Sequence, residues 1–117
     1  MLTVMESQQP THAKPRINGN DLRQYERKAV TLVGRLQSQN GRDAVVVTPD
    51  GTEVKVLMGI GSTYSPVVEI HGTVDHAGGE WVLREESFVS FPEEFDLSLY
   101  GEFLTLAHTK FRDIFLA

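Results

Sequence analysis

Residues 29–58, AVTLVGRLQSQNGRDAVVVTPDGTEVKVLM, decide the fold. Val30, Leu32, Gly34 and Leu36 fall on one face of an alternating run, and Thr31, Val33, Arg35 and Gln37 on the other, which is the two-residue period of a strand. Asn40-Gly41 supplies a turn, Ala44 to Thr48 a second strand and Pro49-Asp50-Gly51 a tight turn. Glu53 to Met58 is then a third strand, with Val54, Val56 and Met58 alternating with Glu53, Lys55 and Leu57. Gly59 to Pro66 reads as a loop or a single helical turn. A fourth strand follows with Val68, Ile70, Gly72 and Val74 on one face, and Ala77-Gly78-Gly79 turns it into a fifth from Trp81 to Phe91.

Five short strands with a non-hairpin crossing between the third and fourth predict an all-β, five-stranded Greek-key OB barrel, with an SH3-like barrel as the competing closure. Gly34 and Gly72 each interrupt an alternating strand, where a small barrel needs places to coil. Upstream, residues 1–14 are polar and lack a period, so a flexible tail is expected there. Asn20 is placed to cap a short helix from Asp21 to Tyr25. The expected organisation is a tail over residues 1–14, a barrel over 15–93 and a C-terminal helix over 94–117.

That last segment, FDLSLYGEFLTLAHTKFRDIFLA from Phe95, is amphipathic. At 100° per residue Leu97, Leu99, Tyr100, Phe103, Leu104, Leu106, Ala107 and Phe111 share one half of the helix, with Lys110 the single intruder. A helix lying on its own domain needs a stripe of roughly 100°, and this one covers about 180°. It serves either as a cover for its own barrel or as a bridge between the barrel and a partner. Those eight residues are the candidate subunit interface. Phe95 is placed as a hydrophobic staple and Asp96 as the N-cap.

A chain of 117 residues suffices for one core and not for two. No apolar run approaches the ~18 residues of a membrane span, and the first residues lack the apolar stretch of a signal peptide, so a soluble intracellular protein without membrane contact is expected. The absence of cysteine removes disulfides, thiolate nucleophiles and cysteine zinc sites. The formal charge of -5 argues against phosphate neutralisation as the main task, although residues 1–65 carry 8 basic and 6 acidic side chains against 3 and 10 in residues 66–117. A weakly basic face on the first strands is therefore possible. Arg35, Arg42 and Lys55 are its candidate strand-binding residues, but no aromatic side chain alternates with them as a stacking platform. Trp81 reads as a buried or barrel-end residue, and the pairs Glu85/Glu86 and Glu93/Glu94 as solvated surface.

Catalytic patterns are missing. His71, Asp75 and His76 have the wrong spacing for two metal ligands on one strand face, so no metal is expected. Gly59-Ile60-Gly61-Ser62-Thr63 lacks the glycine and lysine positions of nucleotide loops, no serine sits in a nucleophile elbow, and no pair of carboxylates is set apart as acid and base. The expectation is a non-enzyme without a cofactor.

Four elements together resemble the smallest subunit of replication protein A, the eukaryotic single-stranded DNA binding heterotrimer. They are Arg16-Ile17-Asn18, Val33-Gly34-Arg35-Leu36, Val68-Glu69-Ile70-His71-Gly72-Thr73-Val74 and Phe95-Asp96-Leu97-Ser98-Leu99-Tyr100. The resemblance implies an OB fold whose last helix joins helices of the middle and large subunits in a three-helix bundle. It further implies a nuclear protein of DNA replication, repair and recombination that meets single-stranded DNA mainly through the complex. A small OB subunit of a telomere-capping complex shares the same outline, and an independent weak oligonucleotide-binding module is the reading from another class.

Overall fold

In the computed structural model, which describes residues 14–92 and 94–110, a short strand β1 (Arg16–Ile17) precedes a 3-10 helix (Gly19–Tyr25). Five longer strands follow: β2 (Ala29–Asn40), β3 (Asp43–Val47), β4 (Glu53–Leu57), β5 (Val67–Ala77) and β6 (Glu80–Ser90). A helix, α1 (Leu97–Lys110), comes last. β2 pairs antiparallel with β3, β3 with β4 and β5 with β6, while β4 runs parallel to β6. β2 also pairs antiparallel with β5, from Ala29↔Thr73 to Arg35↔Val67, and closes the sheet on itself. The order β2-β3-β4-β6-β5 returning to β2 is that of the OB barrel, with β1 added in parallel beside β2.

The two-residue period explains the core. Val54, Val56 and Met58 are buried while Glu53 and Lys55, which alternate with them, are exposed, and Val68, Ile70 and Val74 point inward to meet Val30, Leu32 and Leu83. Each such side chain fully buried is worth about 1.5–3 kcal/mol. Gly34 and Gly72 answer to close approach. A Cβ on Gly34 would meet the Val46 side chain and the Val47 carbonyl oxygen, and one on Gly72 the Arg84 carbonyl oxygen. The pairing register slips between His71 and Gly72 on β5, so Gly72 lies where the barrel coils, and a second slip falls between Leu36 and Ser38 on β2.

Two expectations need correction, and one short strand was not anticipated. The short helix starts earlier than the Asn20 reading, at Gly19 after Asn18, whose N–H donates to Asp21 Oδ2 at 3.3 Å. The reason is Thr48, whose hydroxyl accepts the Gly19 N–H at 3.0 Å and draws the chain against the β3–β4 turn. β1 carries no sequence signal, because two residues cannot display a period. Glu85 is half-buried rather than solvated: Tyr64 Oη donates to it at 2.7 Å and Ser62 Oγ at 2.9 Å, pinning the β4–β5 loop to β6. Burial together with this carboxylate pushes the Tyr64 phenol far above its ordinary pKa. The expected tail, apart from Lys14, and the residues Glu93 and Phe111 lie outside the described residues.

Candidate assembly helix and oligonucleotide face

α1 begins where the sequence places it. Asp96 Oδ1 accepts the Leu99 N–H at 2.9 Å and the Asp96 carbonyl accepts from Tyr100, so Asp96 is the N-cap. Phe95, one residue before, stacks 6.1 Å from Tyr100 and 4.5 Å from Phe91, which staples the helix to the chain leaving β6.

The seat of this helix is the outer face of β2 and β5. There the cross-strand pairs Thr31↔His71, Val33↔Glu69 and Arg35↔Val67 point away from the barrel core, yet Thr31, Val33, Val67 and Glu69 are buried. Leu104 and Ala107 of α1 are likewise buried outside the core cluster, as a second layer between helix and sheet requires. Gly101 permits the approach, since a Cβ there would lie 2.7 Å from the Pro49 Cβ. The polar part of the seat is a relay: Arg16 Nη1 donates to Glu69 Oε1 at 3.0 Å, His71 Nε2 lies 2.8 Å from Glu69 Oε2, and Thr31 Oγ1 lies 3.3 Å from His71 Nδ1. The Tyr100 hydroxyl is buried beside Arg16 without a hydrogen-bond partner. Burial raises the pKa of this phenol more than the neighbouring guanidinium lowers it. For Arg16 the balance reverses, and Tyr100 with Glu69 outweigh a burial that favours the neutral form.

The eight candidate interface residues therefore separate. Leu104 and Ala107 are buried and Leu97 and Tyr100 half-buried, whereas Leu99, Phe103 and Leu106 remain 61 %, 44 % and 43 % exposed on the opposite edge. Periodicity alone did not say which edge the barrel would take.

The three candidate cations do not converge. Arg35 borders a groove of about 590 Å³ between β2, β3 and the start of α1, beside Val47, Pro49 and Leu97. Arg42 turns back so that its Nε donates to the Met58 carbonyl at 3.0 Å. Lys55 lines a separate groove of about 410 Å³ between the β2–β3 and β5–β6 turns, the region where OB folds hold oligonucleotides. Its floor is apolar, from Val45, Leu57 and Val82, and its second cation is Arg84, which sequence reasoning missed although Arg84 stands opposite Leu57 of β4. Both cations are paired: Lys55 Nζ with Glu80 Oε2 and Arg84 Nε with Asp75 Oδ2, each at 2.8 Å. Glu80 raises the Lys55 pKa, and Arg84 lowers that of Asp75. Trp81 stacks on His76 at 4.4 Å near the tip of the β5–β6 hairpin, and neither residue lines the groove. Among the described residues no cluster of His and carboxylates is arranged to hold a metal, and no helix is long and apolar enough to cross a membrane.

The family described as Replication factor A protein 3 matches residues 5–115 of the chain. Replication protein A of U. maydis, in a structure bound to ssDNA, contains a chain that is 26% identical and superposes with a TM-score of 0.80. That likeness covers 90% of this chain and 97% of the other. The S. pombe Stn1-Ten1 complex (11% identity, TM-score 0.68, 86% and 96% covered) and the S. pombe telomere capping protein Ten1 (12%, 0.66, 82% and 98%) share the fold. No curated protein matches in sequence.

Proposed function

Because the chain belongs to the Replication factor A protein 3 family, we propose that it is a non-catalytic structural subunit of a replication protein A heterotrimer, acting in the nucleus in DNA replication, repair and recombination. The observation that carries this reading is the apolar edge Leu99, Phe103 and Leu106, which α1 turns away from its own barrel. Large apolar side chains in one row on a capped helix suit a helix-in-groove or bundle contact. The partners are helices of the middle and large subunits, which complete a three-helix bundle with α1. Leu97, Tyr100, Leu104 and Ala107 hold α1 in place, and the exposed row makes the contact. Single-stranded DNA is met mainly through the complex, since Lys55 and Arg84 are already paired with carboxylates.

Co-expression with the middle and large subunits followed by pull-down tests the reading. The full chain is expected to be retained, and a chain ending after Phe91 to be lost. Assembly of the truncated chain at normal yield would overturn it. Selective capture of a telomeric OB subunit in place of the middle subunit would move the chain to a capping complex.

A further inference from the structure

Two Asn-Gly pairs occur in the chain, Asn18-Gly19 and Asn40-Gly41, and the fold treats them in opposite ways. Asparagine is thermolabile because the backbone nitrogen of the next residue can attack its side-chain amide carbon. Glycine leaves that nitrogen the most open, having no Cβ to shield it. At Asn18 the two groups are locked. The Gly19 N–H donates to the Thr48 hydroxyl at 3.0 Å, the Asn18 side-chain oxygen is buried, and Gly19 is packed so closely that a Cβ there would lie 2.6 Å from Val54 Cγ2.

Asn40-Gly41 is free by contrast. Residues 37–43 around the β2–β3 turn are all exposed, the space about Gly41 is open, and among the described residues neither the Asn40 side chain nor the Gly41 N–H makes a hydrogen bond. β2 leaves β5 after Arg35↔Val67, so from there to the turn β3 alone holds it, and their register slips between Leu36 and Ser38. Gln39 accepts the Tyr64 N–H and Arg42 donates to the Met58 carbonyl, which anchors both flanks of the pair and binds neither of its members. An exposed segment paired on one side opens at little cost.

We propose that Asn40 is a site of spontaneous deamidation whose product adds a carboxylate to the groove of Lys55 and Arg84, which Asn40 lines. The Gly41 nitrogen forms a bond to the Asn40 side-chain carbon and gives up its proton, and the side-chain nitrogen leaves as ammonia, closing a cyclic imide. Water then opens the ring at either carbonyl, breaking one carbon–nitrogen bond, to give aspartate or isoaspartate. The balance is one water consumed and one ammonia released. The new charge joins Asp43 and Asp75 in a groove whose two cations are already paired, so an anionic strand is repelled further.

Trypsin places each pair in its own peptide, residues 17–23 after cleavage at Arg16 and Arg23, and residues 36–42 after cleavage at Arg35 and Arg42. The full-length protein is held at neutral pH and body temperature with and without urea, and the gain of one mass unit is followed by mass spectrometry, with fragmentation to locate it. In urea the two pairs are expected to react at similar rates, whereas in the folded chain Asn40 is expected to react on the order of tenfold or more faster than Asn18. A folded ratio no higher than the ratio in urea overturns the proposal. Asn40→Gln, whose longer side chain closes a ring far more slowly, is expected to remove the fast gain from the second peptide, and persistence of that gain would overturn the assignment to Asn40. Asn40→Asp carries the charge of the product, and its affinity for a labelled single strand is expected to fall by about threefold at low salt and to converge on the parent at high salt. Equal affinity at low salt would overturn the effect on the groove. Neither measurement depends on assembly with partner subunits.

Discussion

Lys55 Nζ on β4 meets Glu80 Oε2 at the start of β6 at 2.8 Å, over the parallel contact that closes this side of the barrel. Arg84 is held by Asp75 at the same distance. A phosphate entering the groove meets cations whose charge a carboxylate already offsets, so the groove begins with two competitors built in.

Strand affinity of the full-length chain should accordingly be weaker than micromolar at physiological salt. With about 0.7 of logarithmic salt slope per phosphate neutralised on a single strand, the slope should stay below roughly 3. Combining Glu80→Gln with Asp75→Asn should tighten binding and steepen the slope by about 1.4, the contribution of two released cations. Fluorescence anisotropy with a labelled oligonucleotide over a salt series checks both. An unchanged slope would mean that pairing is not what limits binding.

Aspartate scanning of α1 should divide by row. Leu99→Asp puts a charge on the most exposed part of the apolar edge, and is expected to abolish capture by the partner subunits while leaving the urea midpoint of the lone chain within experimental error. Leu104→Asp differs, because only 1 % of that residue is exposed. It should cost several kcal/mol by burying an unpaired charge, and should loosen the helix even without a partner. Glu102→Ala, on the polar side, is the neutral control.

Gly72→Ala should destabilise the barrel by about 1–3 kcal/mol, because the added methyl meets the Arg84 backbone carbonyl, which cannot rotate away. Urea unfolding followed through Trp81 measures it. A loss below about 0.5 kcal/mol, the scatter of neutral substitutions, would mean that the strand relaxes freely there.

Acid should weaken the fold through Asp50 and Asp75. Burial works against ionised Asp50, but hydrogen bonds from the Thr48 hydroxyl and from the backbone of Thr52 and Asn20 outweigh it and hold its pKa below the ordinary value. Asp75 is lowered by Arg84 and the His76 N–H. A carboxylate depressed in the folded state contributes stability that is fully present above its unfolded pKa, about 3.9, and is lost as pH falls through the lower folded value. The urea midpoint should hold from pH 7 to 5 and drop below about pH 4. Asp50→Asn should flatten that drop.

Strand alternation is legible wherever one face is buried and the other wet, which is why Val54 and Val56, alternating with the exposed Glu53 and Lys55, were readable from spacing alone. Asp96 was legible for a similar reason, since a cap is a local bond between neighbours in sequence. Choosing between the rows of α1 was not, because the seat it settles on is built from Thr31, Val33, Val67 and Glu69, which lie far from it in the chain. The pairing of Lys55 with Glu80 and of Arg84 with Asp75 depends on how β4 and β6 slide past each other, and no single strand carries that information. Glu85 read as solvated because the Tyr64 that binds it arrives from a loop without a period.

The β2–β5 pairing that closes the barrel joins residues such as Leu32 and Ile70 across a long intervening stretch of chain. Contacts of such separation form late, after the local hairpins, because the entropy of closing the intervening loop must be met first. Until that closure, Thr31 and Arg16 have no Glu69 and His71 beside them, and Tyr100 has nowhere to settle. The outer face that receives α1 is therefore completed only when β2 and β5 pair.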